Sequence, residues 1–318
     1  MLKAAVQTFC IALCGWSSLT AAQAYPNKPV RIVVPFAPGG GADIAARLLG
    51  PRLSESLNQQ VIVDNRPGAG TNIGNEHVAR APADGYTLLV TSPNLVVNMS
   101  LYKKVNYDAV RDFAPISIFY VSPNILVVNP VLPVSSVKEL IAYARAKPIN
   151  YSSAGNGTAQ HLSGELFKLK TGTNVTHVPF KGTSPSITSL ISDEVQMSFA
   201  SVPAIIQHVK VGRLRTLATT GPKRAELMPE LPTMKEAGVD MDVVIWYGVL
   251  APAGTPNEVV DRLGDLVAQI ARQRDMSQRL RELGAEAVGN TPEQFSQQVR
   301  SEVAMWAQVV KASGATVD

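Results

Sequence analysis

Along the chain, short apolar β-branched runs alternate with longer stretches whose apolar residues recur every three to five positions. Residues 30–34 form the first run, between Pro29 and Pro35, the pattern of a strand buried on both faces of a parallel sheet. Ile44, Leu48, Leu49, Leu53 and Leu57 then mark one face of a helix. Pro51 within it is expected to kink the helix or divide it in two. Strands are expected at 61–63 and 86–91, with a short helix at 74–81 between them. Two further β-rich runs, 116–121 and 125–128, are interrupted by Ser122-Pro123-Asn124. The alternation resumes with helices at 137–146, 159–169, 187–191 and 204–211 and strands at 149–152, 175–179, 195–199 and 214–219. Residues 243–250 read as a long returning strand. From Pro256 the pattern is helical, and a last helix at 292–312 buries Phe295, Val299, Val303, Trp306 and Val310.

Repeated strand–helix–strand units predict an α/β chain with a mostly parallel sheet. The expected arrangement is two lobes, 25–123 with 246–318 and 124–245, joined by crossings near Ser122 and Val244. Clefts between lobes are common small-ligand sites. With 318 residues, 46% hydrophobic and 17% charged, the chain is long enough for two cores, and disorder, collagen and coiled coil are excluded. The net charge of +4 is spread over 29 basic and 25 acidic residues without a basic cluster, so no nucleic-acid surface is expected.

Residues 1–24 carry Lys3, an apolar run at 9–19 and Ala22-Gln23-Ala24, the pattern of a signal peptide cleaved after Ala24. The run falls short of the roughly 20 residues that span a membrane. Export to the periplasm is expected. Cys10 and Cys14 both lie in that segment, and Leu13 stands where a lipoprotein signal would carry a small residue, so both are read as part of the apolar run. The mature chain then has no thiol for disulfides or for Cys-ligated zinc.

A strand, a glycine-rich turn and a helix start occur in succession twice. The first reads Val33-Val34-Pro35-Phe36-Ala37-Pro38-Gly39-Gly40-Gly41-Ala42-Asp43, the second Tyr151-Ser152-Ser153-Ala154-Gly155-Asn156-Gly157-Thr158-Ala159. Glycine lets a ligand approach the backbone, and the first turn of a helix holds amides without intrahelical partners. A carboxylate gripped from both lobes follows, although such turns also serve plain strand–helix packing. Spacing excludes a P-loop after Gly39-Gly40-Gly41 and a dinucleotide fingerprint at Gly68-Ala69-Gly70. The four histidines, His77, His161, His177 and His208, are not at metal-ligand spacing, and no Gly-x-Ser-x-Gly elbow occurs. No metal or cofactor is therefore expected. His161 either faces the ligand or packs within its helix. Lys181 either meets an acidic ligand or is a solvated loop lysine, and Phe36 either covers the ligand or belongs to the core. Asp43 reads as a helix-start partner that must point away from a bound anion.

With these segments, Asn65-Arg66-Pro67-Gly68-Ala69-Gly70, Ala81-Pro82-Ala83-Asp84-Gly85-Tyr86, Val178-Pro179-Phe180-Lys181-Gly182 and Leu250-Ala251-Pro252-Ala253-Gly254-Thr255-Pro256, the chain resembles the Bug family. These are the extracytoplasmic receptors of tripartite tricarboxylate transporters. The resemblance covers nearly all of residues 25–318. It implies a type II periplasmic-binding-protein fold that closes on a small organic acid, partly through ordered waters, and two membrane transporter subunits as partners. The candidate ligand-binding set it implies comprises Phe36, Pro38, Gly39, Gly40, Ser92, Ser152, Ser153, Ala154, Gly155, Gly157, Thr158, His161, Lys181 and Ser201. A monomer is expected, and not an enzyme. An exported hydrolase using a Ser with His161, and a ligand sensor for a membrane signalling protein, are the alternatives. Where the family commonly carries Phe-Asp, this chain has Phe199-Ala200, which puts the cleft wall near Ala200 and Ser201 in question.

Overall fold

A computed structural model describes residues 25–317; the signal peptide and its cleavage point lie outside the described residues. The first stretch contains β1 (Val30–Val34), α1 (Gly41–Leu57), β2 (Val61–Asn65), α2 (Asn72–Ala79), β3 (Thr87–Thr91) and α3 (Asn94–Leu101). A 16-residue strand, β4 (Phe113–Val128), follows. Next come α4 (Val137–Ala146), β5 (Ile149–Ser153), α5 (Ala159–Thr171), β6 (Val175–Pro179), α6 (Thr183–Ile191), β7 (Met197–Ser201), α7 (Val202–Lys210) and β8 (Arg215–Thr219). The return is β9 (Val244–Pro252), then α8 (Asn257–Arg272), α9 (Arg274–Glu282), β10 (Glu286–Ala287) and α10 (Pro292–Ser313).

The strands run in the order β2-β1-β3-β9-β4-β7-β5-β6, with β8 and β10 also paired to β4. Pairing is parallel at each end, β1 with β2 and β3, and β5 with β6 and β7. It is antiparallel wherever β4 or β9 takes part. The sheet is thus mixed rather than mostly parallel, because the two long strands cross from one end to the other in opposite directions.

Two expectations are corrected and one helix is added. Ser122-Pro123-Asn124 does not interrupt a strand: β4 runs through it, changing partners there. Pro123 faces Val244, the first residue of β9, and Asn124 already faces Ser201 of β7. A proline is tolerated where one ladder ends and another begins. Pro51 does not divide α1; it is exposed, so the carbonyl it leaves without a donor can be hydrated. The sequence reading also passed over α3, whose Asn94, Leu95, Val96, Val97, Asn98 and Leu101 are all buried. A helix buried around its circumference shows no polar face to reveal its period.

Two cores flank the ends of the sheet. One joins α1 and α8 through Leu49, Leu53, Leu263 and Val267; the other gathers Ile187, Leu190, Val202 and Ile205 from α6 and α7. A third runs the length of the opposite face, from Val33 to Phe199, and includes Trp246 with Phe295 edge-on at 5.1 Å. α10 packs on both α3 and α5.

Candidate functional site

Five helices, α1, α3, α5, α6 and α7, direct their N-terminal ends toward one cavity of about 440 Å³. Its polar lining comes from residues 39–42, Ser92, Asn94, Ala154, residues 158–160, Thr183, Ser184, Thr188, Ser201 and His208. Phe36, Tyr120, Ile245, Tyr247, Leu283 and Ala285 supply much of the apolar wall, and Ser122 and Asn124 stand where β4 changes partners. Among the described residues, no Lys, Arg, Asp or Glu lines it. The field inside therefore comes from backbone dipoles, each helix start favouring a nearby anion by about 0.3–1 kcal/mol and up to about 2 when partly buried.

The first glycine turn is braced from both sides. Gly39 N–H donates to Asp43 Oδ2 at 2.9 Å, and the same carboxylate accepts from Arg47 Nε at 2.9 Å and Asn65 Nδ2 at 2.9 Å. Asn65 Nδ2 also donates to the Phe36 carbonyl at 3.1 Å. Asp43 is buried; burial opposes its ionisation, but the bonds from Arg47, Gly39 and Asn65 prevail and hold its carboxyl below the usual range. Its charge is thus engaged away from the cavity. At the other edge, Tyr120 OH donates to the Gly41 carbonyl at 2.7 Å. The Tyr247 ring lies so close that a Cβ on Gly41 would come within 2.2 Å of it. Burial pushes the Tyr247 hydroxyl up to about 12 and raises Tyr120 well above its ordinary value, so both stay protonated. α1 starts without a side-chain cap, and the amides of Gly41 and Ala42 have no partner among the described residues.

The second turn is different. Its amides are consumed internally: Ala154 N–H by Gln160 Oε1 at 2.9 Å, Gly155 by Ser153 Oγ at 3.1 Å, Gly157 by His161 Nδ1 at 3.1 Å, and Thr158 by the Gly155 carbonyl at 3.3 Å. What the segment offers is the start of α5, where Ala159 and Gln160 reach the cavity with amides unpartnered among the described residues.

Of the sequence-derived set, Phe36, Gly39, Gly40, Ser92, Ala154, Thr158 and Ser201 line the cavity. Pro38, Ser152, Ser153, Gly155, Gly157, His161 and Lys181 do not. Ser152 is buried, with its hydroxyl on the Ser186 carbonyl at 3.1 Å; Pro38 and Lys181 are exposed. Ala200 is fully buried in a core while its neighbour Ser201 reaches the cavity. Sequence reasoning missed Tyr120, Asn124 and Tyr247, which lie on the crossing strands, the start of α6, and the first turn of α7 beyond Ser201. Pro203 in the first turn of α7 and Gly182-Thr183-Ser184-Pro185 were readable as helix starts, but nothing local showed where they point.

One Ser–His contact exists near the second turn, Ser153 Oγ to His177 Nε2 at 2.6 Å. Ser153 is fully buried, and burial together with the neighbouring His161 ring pushes His177 down to about 3, leaving a weak base. Among the described residues, no three His, Cys, Asp or Glu side chains stand close enough to hold a metal ion. No described helix is long and apolar enough to cross a membrane.

A family model described as "Tripartite tricarboxylate transporter family receptor" matches residues 45–315. Among solved structures, Rpa4515 of R. palustris, determined with adipate, is 39% identical with a TM-score of 0.87, covering 92% of this chain and 100% of that one. The periplasmic binding protein BugD is 35% identical with a TM-score of 0.85, covering 92% and 99%. MatC of Rhodopseudomonas palustris, with bound malate, is 29% identical with a TM-score of 0.83, covering 90% and 100%.

Proposed function

This chain belongs to the tripartite tricarboxylate transporter receptor family, and from that membership we propose that it captures a small organic carboxylate in the cavity described above. One observation carries the reading: five helix starts meet at a cavity that no Lys, Arg, Asp or Glu lines among the described residues. A carboxylate there meets donors and no competing anion. Hydrogen bonds to a charged group contribute about 1.5–3 kcal/mol each, and micromolar affinity needs about 8 kcal/mol. The free amides of Gly41, Ala42, Ala159 and Gln160 are enough in number. Phe36, Tyr120 and Tyr247 would cover the ligand's carbon skeleton.

In this reading the mature chain works in the periplasm as a monomer, without catalysing a reaction, and hands its ligand to membrane transporter subunits. Residues 25–123 with 246–318 form one lobe and 124–245 the other. β4 and β9, the two strands that pass between them, act as the hinge. Binding favours closure because only the closed form lets both helix sets contact one ligand. The relatives solved with adipate and malate make these acids the natural first probes.

The test is a thermal-shift screen of ligand-free protein against adipate, malate and other mono-, di- and tricarboxylates. At least one acid should raise Tm saturably, by the equivalent of about 2.7 kcal/mol at a hundred times Kd. Folded protein that responds to none of them would overturn the reading.

A further inference from the structure

The second turn is held by two histidine rings that do not reach the cavity. His161 Nδ1 accepts from Gly157 N–H at 3.1 Å, so the ring's proton resides on Nε2. His177 stacks on it with centroids 4.0 Å apart, and Tyr151 in turn stacks on His177 at 4.9 Å. Through Ser153 Oγ, His177 supports the Gly155 amide as well. The turn so shaped is seated against α3: a Cβ on Gly157 would lie 2.5 Å from Asn98 Oδ1 and 3.1 Å from Leu101. α5 begins two residues later, carrying the amides that line the cavity.

We infer that His161 is a positioning residue whose neutral ring sets the second turn and the start of α5, so that acid protonation at Nδ1 releases the turn. Its bearing on ligand capture rests on the carboxylate reading above. Protonation places an N–H where an acceptor stood, facing the Gly157 N–H, and the hydrogen bond becomes a clash of two donors. The titratable groups around the ring are His177 from β6, Tyr151 from β5 and Glu165 one turn further along α5. Glu165 already accepts from Tyr151 OH at 2.7 Å. α3 faces the turn with Asn98 and Leu101, both uncharged. Among the described residues no carboxylate is paired with the ring, and burial alone pushes His161 down to about 4.

The experiment is a pH titration of uniformly labelled, ligand-free protein, following the imidazole nitrogens of His161 and the Gly157 amide by NMR. Expected are an unprotonated Nδ1 at neutral pH and a coincident transition of the ring and the Gly157 amide near pH 4. In His161→Asn the side-chain oxygen takes the acceptor position, so the transition at Gly157 disappears and affinity for any acid found in the screen stays within about threefold. In His161→Leu the Gly157 amide exchanges with solvent faster at pH 7, and affinity falls at least tenfold. Overturning results are a Gly157 amide indifferent to the ring's titration, or a Gly157 transition that persists in His161→Asn. The wild-type titration decides the matter even if the leucine variant does not fold. It also does so if no acid binds, in which case the carboxylate reading fails separately.

Discussion

The two glycine-rich turns look alike in sequence but work differently. The first leaves its helix open: Gly39 alone spends its amide on Asp43, while Gly41 and Ala42 face the cavity unengaged. The second spends four amides on its own neighbours and contributes to the cavity mainly by presenting the start of α5. A glycine turn before a helix is thus no guarantee that the glycine amides do the binding. It guarantees a backbone path tight enough to bring a helix start to the site, and the turn's amides are then either free or used to stiffen that path.

The largest effect should come from adding a side chain where the first turn is most crowded. Gly41→Val drives a Cβ into the Tyr247 ring, and the start of α1 must move. Loss of all thermal response to acids is expected, with overpacking costing about 1–3 kcal/mol of stability by denaturant titration. In the second turn, Gly157→Ala meets both a positive φ of 75° and Asn98 at 2.5 Å. Stability should fall by about 1–3 kcal/mol, and acid affinity should weaken without vanishing, since Gly157 is not a cavity residue. Unchanged affinity in Gly41→Val, with total loss in Gly157→Ala, would reverse the roles assigned to the turns.

A smaller effect is expected at the brace behind the first turn. Asp43→Asn removes the charge that holds Gly39 and Arg47, costing about 1–2 kcal/mol and weakening binding severalfold through a looser Gly39. The carboxyl's folded pKa is depressed, so the wild type's advantage is fully present above the unfolded value of about 3.9 and is lost as pH falls through the lowered one. Equilibrium unfolding of both proteins at pH 7 and pH 3 checks this. His161 behaves in the same direction for the opposite reason. A histidine with a lowered folded pKa contributes its full stability above about 6.5 and loses it as pH falls from there toward 4. The smallest effect is at Lys181, which is exposed and outside the cavity; Lys181→Ala should change affinity less than twofold by calorimetry.

Much of the fold is legible in the chain because short β-branched runs and amphipathic helices have different periods, and α1, α8 and α10 each display theirs. What escaped had physical reasons. β4 hides its continuity behind Pro123, which is harmless only because the strand changes partners there. α3 has no polar stripe because its surroundings bury it on every side. At the site, local motifs reveal helix starts such as Gly39-Gly40-Gly41 but not what lies opposite. Tyr120 and Tyr247 come from the crossing strands and are brought to α1 by tertiary structure alone. Ser153, Gly155 and His161 were singled out for chemistry that the structure spends on shaping the turn.

The central claim is that free helix-start amides, rather than the amides the second turn spends on itself, receive the ligand's carboxylate. Amide proton shifts of labelled protein, recorded with and without the acid giving the largest thermal shift, test it most directly. Downfield shifts at Gly41, Ala42, Ala159 and Gln160, with Ala154, Gly155 and Gly157 little changed, are the expected result. Shifts confined to Ala154, Gly155 and Gly157, with the four helix-start amides unmoved, would contradict it.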